Sequence, residues 1–112
     1  LLVAQLENLD SMLEKKRKLA HTYKEYFKTT NYAFVSEPAE CKSNYWLNSI
    51  ILKNKQQRDN FLNETNTMNV MTRPIWILMN KLPMFERAEC GNLKNSEWLE
   101  KRIANIPSSI RK

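Results

Sequence analysis

A stripe of apolar residues runs through the first quarter of the chain and repeats with the period of an α-helix. Its members lie three, four or seven positions apart, which places them on one helix face: Leu2, Leu6, Leu9, Leu13, Ala20, Tyr23 and Phe27. The spacing predicts one long amphipathic helix through about residue 28. No Ser, Thr, Asp or Asn precedes its first apolar residue, and the sequence does not begin with Met, so we expect the helix to be cut from something longer.

The middle of the chain shows the pattern of a loop, a strand and a helix. Residues 29–43 indicate a connection with one short extended piece. Residues 44–52 are rich in β-branched and aromatic side chains and predict a strand that is apolar on much of both faces. Asn54 can cap a helix whose third residue is Gln57. That helix ends near residues 66–69, where Asn69 tolerates the left-handed conformation and leads into a strand over residues 70–73.

The last forty residues are less regular. Residues 74–85 are too apolar for a solvated loop yet poorly periodic, with prolines near both ends. Ser96 is expected to cap a short helix, and residues 104–107 are expected to add a last edge strand. Residues 1–112 therefore predict a single α+β domain. We expect a small antiparallel or mixed sheet of two to four strands, covered by the long N-terminal helix and two shorter helices.

Several classes of function are excluded by what the chain lacks. With one glycine, it cannot form the glycine-rich turns of dinucleotide or P-loop nucleotide sites. Cys41, Cys90 and His21 are too few for a closed zinc site, and nothing near them supports a nucleophile. We therefore predict two reduced thiols, no metal ligands and no catalytic residue. The longest apolar run, residues 75–79, is too short to cross a bilayer, so we expect a cytoplasmic protein without a membrane partner.

The net charge of +6 raises an alternative, a small basic module that binds nucleic acid or another acidic partner. Its strongest feature is residues 15–18, four consecutive cations. Consecutive residues point in different directions around a helix, and Glu14 and Glu25 lie nearby, as on an ordinary solvated helix face. We therefore regard nucleic-acid binding as the second hypothesis, which predicts binding that weakens steeply with salt.

Several stretches together resemble a known enzyme family. They are Ala4-Gln5-Leu6-Glu7 before a lysine-rich helix, the strand and helix over residues 46–62 with Gln57-Arg58-Asp59, and Asn69-Val70-Met71-Thr72-Arg73-Pro74. They resemble the C-terminal part of DegT/StrS-type nucleotide-sugar aminotransferases, which depend on pyridoxal phosphate (PLP). Two later stretches look most like the branch that makes 4-amino sugars for bacillosamine or legionaminic acid: Met79-Asn80-Lys81-Leu82-Pro83-Met84-Phe85 and Asn105-Ile106-Pro107-Ser108-Ser109.

The resemblance implies a fold-type I PLP enzyme, normally a homodimer, that passes an amino group from glutamate to a 4-keto nucleotide sugar for cell-surface sugars. In that family the PLP lysine, the acid that pairs with the pyridine nitrogen and most phosphate contacts belong to a large domain, which would precede Leu1. We therefore expect this chain to be the C-terminal small domain, to bind no cofactor itself and to be inactive alone. Its expected partners are the large domain and the partner subunit.

The resemblance also points to three candidate substrate-binding residues. Arg73 would lie near the active-site cleft, where a guanidinium can recognise a carboxylate or phosphate; a surface or structural ion pair is the alternative. Trp46 and Asn48 occupy positions where many relatives carry His and Tyr, and for Trp46 we favour a core role. The apolar run over residues 76–85 could line a sugar site, but we favour an interface with the large domain or partner subunit, and expect the isolated chain to self-associate.

Overall fold

The computed structural model describes residues 2–110 as α-helices and short strands around one small sheet. Along the chain the elements are α1 (Leu2–Leu6), α2 (Leu9–Phe27), β1 (Ala33–Phe34), β2 (Asn48–Ile51), α3 (Lys55–Thr67), β3 (Arg73–Pro74), α4 (Lys94–Glu100) and β4 (Ile103–Ile106). Two 3₁₀ turns, Met79–Lys81 and Pro83–Phe85, lie between β3 and α4. The predicted α+β class is therefore confirmed.

The sheet has the strand order β1-β2-β4-β3, and every neighbouring pair is antiparallel. In the central pair, Asn48 lies opposite Ile106 and Ile50 lies opposite Ala104. β4 pairs with β2 on one side and with β3 on the other, so the prediction of an edge strand here was wrong. Ala104 is wholly buried at this central position. Its small side chain leaves room for the helices that cover the sheet.

The core lies between the central strands and two helices. Ile50, Leu52, Ala104 and Ile106 form the buried cluster on the sheet, and partly buried aromatic and aliphatic side chains pack against it from α2 (Tyr23, Phe27) and α3 (Phe61, Leu62). Full burial of a large aliphatic side chain contributes roughly 1.5–3 kcal/mol. Because Tyr23 and Phe27 belong to the predicted apolar stripe, the C-terminal half of that stripe faces the sheet.

Two predicted elements are shorter than expected, for a shared reason. The first helix is interrupted at Glu7 and Asn8, where the Asn8 side chain donates to the Ala4 carbonyl at 2.8 Å. The predicted strand over residues 44–52 begins only at Asn48, because the Ser43 and Asn44 side chains accept hydrogen bonds from the next-but-one backbone N–H groups. Short polar side chains compete in this way with helices and sheet ladders.

The helix α3 begins and ends as predicted. The Asn54 side chain accepts from the Gln57 backbone N–H at 2.8 Å, and Asn69 adopts a left-handed φ of 60°. The following strand lies later than the predicted residues 70–73, because the Thr72 hydroxyl is bonded to α3 before β3 begins at Arg73.

The start of the last helix was predicted wrongly. α4 begins at Lys94, so Ser96 lies inside the helix and caps nothing. The Asn92 side chain accepts instead from the Lys94 backbone N–H at 3.0 Å, which starts the turn two residues earlier.

Surface features agree with several sequence expectations. Cys41 and Cys90 are free and exposed, and His21 is exposed on α2. Across residues 2–110 we find no helix with both the length and the apolar character needed to span a bilayer.

Candidate functional site

An open cleft of about 520 Å³ lies at the β3 side of the sheet. Its walls come from α2, from the segment before β2, from β3 and the residues after it, and from the end of β4; six of its lining residues are Lys16, Trp46, Arg73, Trp76, Asn105 and Ser108. The described lining carries two cationic side chains and no Asp or Glu. The cleft therefore favours an anionic ligand on electrostatic grounds.

Arg73 lies on the edge strand β3, opposite Asn105 of β4, and its side chain enters the cleft lining. Within residues 2–110 its side chain makes one hydrogen bond, a 3.5 Å approach of Nη2 to the Met71 sulfur. The ion pair considered from the sequence is thus not made in the described part of the chain. An exposed guanidinium without a carboxylate partner keeps most of its five donors for a ligand.

Trp46 and Trp76 form an aromatic pair in the same cleft. Their ring centroids are 6.0 Å apart with planes inclined by 26°, and the residues remain 66% and 64% exposed. The core role favoured for Trp46 was therefore wrong for this chain. Tyr45 adopts a left-handed φ of 45°, and the residue that follows it leaves the strand alternation and packs on Trp76 rather than in the core.

Asn48 does not line the cleft with the other two candidates. It is wholly buried on the core face of β2, and it is not among the residues that line the cleft. Neither its side-chain nitrogen nor its oxygen has a hydrogen-bond partner within the described residues. Its backbone N–H donates to the Ser108 hydroxyl at 2.8 Å. The structure therefore brings Arg73 and Trp46 into one cleft, whereas Asn48 is buried and does not line it.

Lys16, which was not predicted as a site residue from the sequence, lies in the cleft wall. Its ammonium donates to the Ser108 carbonyl and, at 3.5 Å, to the Trp46 carbonyl. A signal was present, because Lys16 fills the gap between Leu13 and Ala20 in the helical stripe. Its place in a run of four cations hid its half-buried position.

The loop that leads to Trp46 is fastened to α2 by a second cation, Arg17. The Arg17 guanidinium pairs with Glu37 at 2.8 Å, also donates to the Ser43 carbonyl, and lies 5.9 Å from the Tyr45 ring centroid. The backbone N–H of Ser43, 2.6 Å from the carboxylate, together with Arg17 lowers the pKa of Glu37 below its ordinary value. The loop and the helix are therefore joined by charge-assisted hydrogen bonds.

These contacts divide the basic run on α2. Lys16 and Arg17 are half-buried and bonded to other segments, whereas Lys15 and Lys18 are exposed. The basic run thus forms no continuous cationic surface, which counts against the nucleic-acid hypothesis.

Two carboxylates outside the cleft are also paired with cations. Lys55 and Arg58 lower the pKa of Asp59, and Lys81 lowers the pKa of Glu100.

The chain matches a known family over nearly its whole length. Residues 1–111 match the DegT/DnrJ/EryC1/StrS aminotransferase family. GDP-perosamine synthase of Vibrio cholerae is 30% identical over 109 residues, a match that covers 95% of this chain and 30% of that protein. The GDP-perosamine synthase of Escherichia coli O157:H7 is 26% identical over 106 residues, covering 95% and 29% respectively. The chain therefore spans about 30% of the length of these relatives.

Solved aminotransferase structures share the fold. TlmJ from Streptoalloteichus hindustanus superposes with a TM-score of 0.83 at 18% identity, over 95% of this chain and 29% of that one. PseC from Helicobacter pylori, an aminotransferase involved in pseudoaminic acid biosynthesis, gives a TM-score of 0.82 at 16% identity, over 94% and 29%. These two likenesses concern the fold, and the family match supplies the relationship in sequence. The chain belongs to the DegT/DnrJ/EryC1/StrS aminotransferase family.

Proposed function

We propose that this chain is the C-terminal small domain of a PLP-dependent aminotransferase that moves an amino group from glutamate to a 4-keto nucleotide sugar. The reaction would serve cell-surface sugar biosynthesis in the cytoplasm. Family membership and the names of relatives such as GDP-perosamine synthase support this proposal. The chain spans about 30% of the length of those relatives, which supports a division of the enzyme into this domain and a larger one.

The described lining of the cleft does not by itself fit a PLP site. PLP serves as an electron sink for amino transfer when a lysine and a partner for the pyridine nitrogen orient it. The described cleft lining offers Lys16, but that ammonium is bonded to two carbonyls, and the lining holds no carboxylate for a pyridinium. The proposal therefore assigns the cofactor and the chemical step to the large domain, and assigns substrate recognition to the cleft.

The single observation that carries this assignment is Arg73, a guanidinium without an ion-pair partner in the described chain, in a cleft whose described lining has no acidic residue. A guanidinium binds a phosphate or a carboxylate through two parallel hydrogen bonds. The Trp46–Trp76 pair adds a flat apolar surface on which a sugar ring or a base can lie. Both groups suit a nucleotide sugar, and Arg73 also suits the carboxylate of an amino donor.

The test is the substitution Arg73→Gln in the complete enzyme, compared with Arg87→Gln. Arg87 is an exposed arginine outside the described cleft lining and so serves as a matched control. A charged hydrogen bond contributes about 1.5–3 kcal/mol, so we expect kcat/KM to fall roughly 10- to 150-fold for Arg73→Gln. Steady-state kinetics with the two substrates varied separately shows which anion is recognised. An unchanged kcat/KM for both substrates would remove Arg73 from the site.

A further inference from the structure

Two segments that line the cleft meet at the side chain of Lys16. One is the stretch before β2, which carries Trp46; the other is the stretch after β4, which carries Ser108. Neither Trp46 nor Ser108 lies in a strand, because the paired register of β2 and β4 ends at Asn48 and Ile106. Residues beyond a sheet ladder need other bonds to hold their positions.

Lys16 supplies such bonds from α2. Its ammonium donates to the Ser108 carbonyl, the shorter contact, and to the Trp46 carbonyl at 3.5 Å. The Ser108 hydroxyl in turn accepts from the Asn48 backbone N–H at 2.8 Å and donates to the Ile106 carbonyl at 2.9 Å. The helix, the start of β2 and the end of β4 are therefore joined through one lysine.

Trp46 depends on side chains at both ends of its backbone. Its N–H donates to the Asn44 side chain at 3.0 Å, and its carbonyl accepts from Lys16. The preceding Tyr45 has a left-handed φ of 45°, a conformation that costs roughly 1–2 kcal/mol for a residue with a side chain. Surrounding contacts must hold a segment strained in this way.

We propose that Lys16 is a positioning residue that holds Trp46 against Trp76 and so builds the aromatic wall of the cleft. This inference rests on the proposed function only where it concerns substrate. Lys16 acts through its hydrogen bonds to the Ser108 and Trp46 carbonyls, and these bonds hold Trp46 in its ring contact with Trp76. Loss of its donors releases the segment before β2, and the two rings lose their fixed 26° inclination.

The first experiment reads the indole pair itself by circular dichroism of the 112-residue chain. Two stacked indoles give an exciton couplet, and Trp76→Phe identifies the couplet of this pair. We expect Lys16→Met to lose most of the couplet, Lys16→Arg to restore much of it, and Lys15→Met to leave it unchanged. Lys15 is the adjacent exposed lysine of α2. A full couplet in a folded Lys16→Met chain would overturn the proposal.

A second measurement needs no substitution and so does not depend on how a variant folds. Reductive methylation of the unaltered chain, followed by mass spectrometry, compares the reactivity of the lysine amines. We expect Lys16 to react several-fold more slowly than Lys15 and Lys18, because its ammonium is half-buried and bonded to two carbonyls. Equal rates for the three lysines would overturn the proposal.

The consequence for substrate is measured separately in the complete enzyme. We expect Lys16→Met to raise KM for the keto sugar about tenfold with a smaller change in kcat, since a displaced aromatic wall removes binding that the ground state and the transition state share. Loss of the couplet in an enzyme that does not use keto sugars would leave Lys16 in its positioning role and reject the proposed function instead.

Discussion

Substitution of Asn48 distinguishes a substrate-binding role of this residue from a buried structural role. Both polar atoms of its side chain lack partners in the described chain, although the residue is wholly buried. An unmet buried polar group costs about 1–3 kcal/mol, and overpacking a core by extra methyl groups costs about 1–3 kcal/mol. Because two unmet groups disappear in Asn48→Leu, we expect a net gain of about 1–2 kcal/mol in the free energy of unfolding.

Urea and thermal unfolding of the chain measure this gain, which corresponds to a rise in Tm of about 4 °C or more per kcal/mol. Asn105→Leu is the matched control, because the Asn105 side chain accepts a hydrogen bond from the Ser49 hydroxyl at 2.7 Å. Loss of that bond should lower the free energy of unfolding. In the complete enzyme, Asn48→Leu should leave KM for the sugar unchanged. A destabilised Asn48→Leu chain, or a raised KM, would refute the structural interpretation.

Two further predictions concern acid stability and self-association. The pKa of Glu37 is lowered in the folded chain by Ser43 and Arg17, so its stabilisation is complete above the ordinary carboxyl pKa and is lost as pH falls through the lowered value. Glu37→Gln should therefore flatten the acid limb of the stability curve measured by urea unfolding, and an unchanged limb would contradict this. The isolated chain should self-associate through residues 76–85, where Trp76 is 64% and Met84 is 72% exposed; sedimentation showing a monomer at high concentration would count against it.

The sequence predicted the elements of the fold better than their boundaries. Periodicity located α2 because one helix face must be apolar to cover the sheet, and the caps at Asn54 and Asn69 depend on local chemistry. The place of β4 at the centre of the sheet depends on pairing with β2 and β3, which lie far from it in the chain. No local pattern records such pairing.

The candidate site was predicted in part, for a similar reason. Arg73 and Trp46 do line one cleft, and Asn48 does not, because a bend at residues 46–47 separates Trp46 from the strand that buries Asn48. Lys16 was hidden among neighbouring cations, although its register with Leu13 marked it as a residue of the buried face. The position of each cation relative to the apolar stripe, and not the length of the basic run, distinguishes Lys16 from its neighbours.

The central claim is that substrate recognition lies in this chain, whereas the cofactor and the chemistry lie in a large domain. Incubation with PLP followed by borohydride reduction and mass spectrometry, together with a glutamate-dependent transamination assay, tests it directly. We predict stoichiometric labelling of one lysine and turnover for a polypeptide that joins the large domain to this chain, and neither for the chain alone. Stoichiometric labelling of one lysine in the isolated chain, accompanied by turnover, would contradict the account.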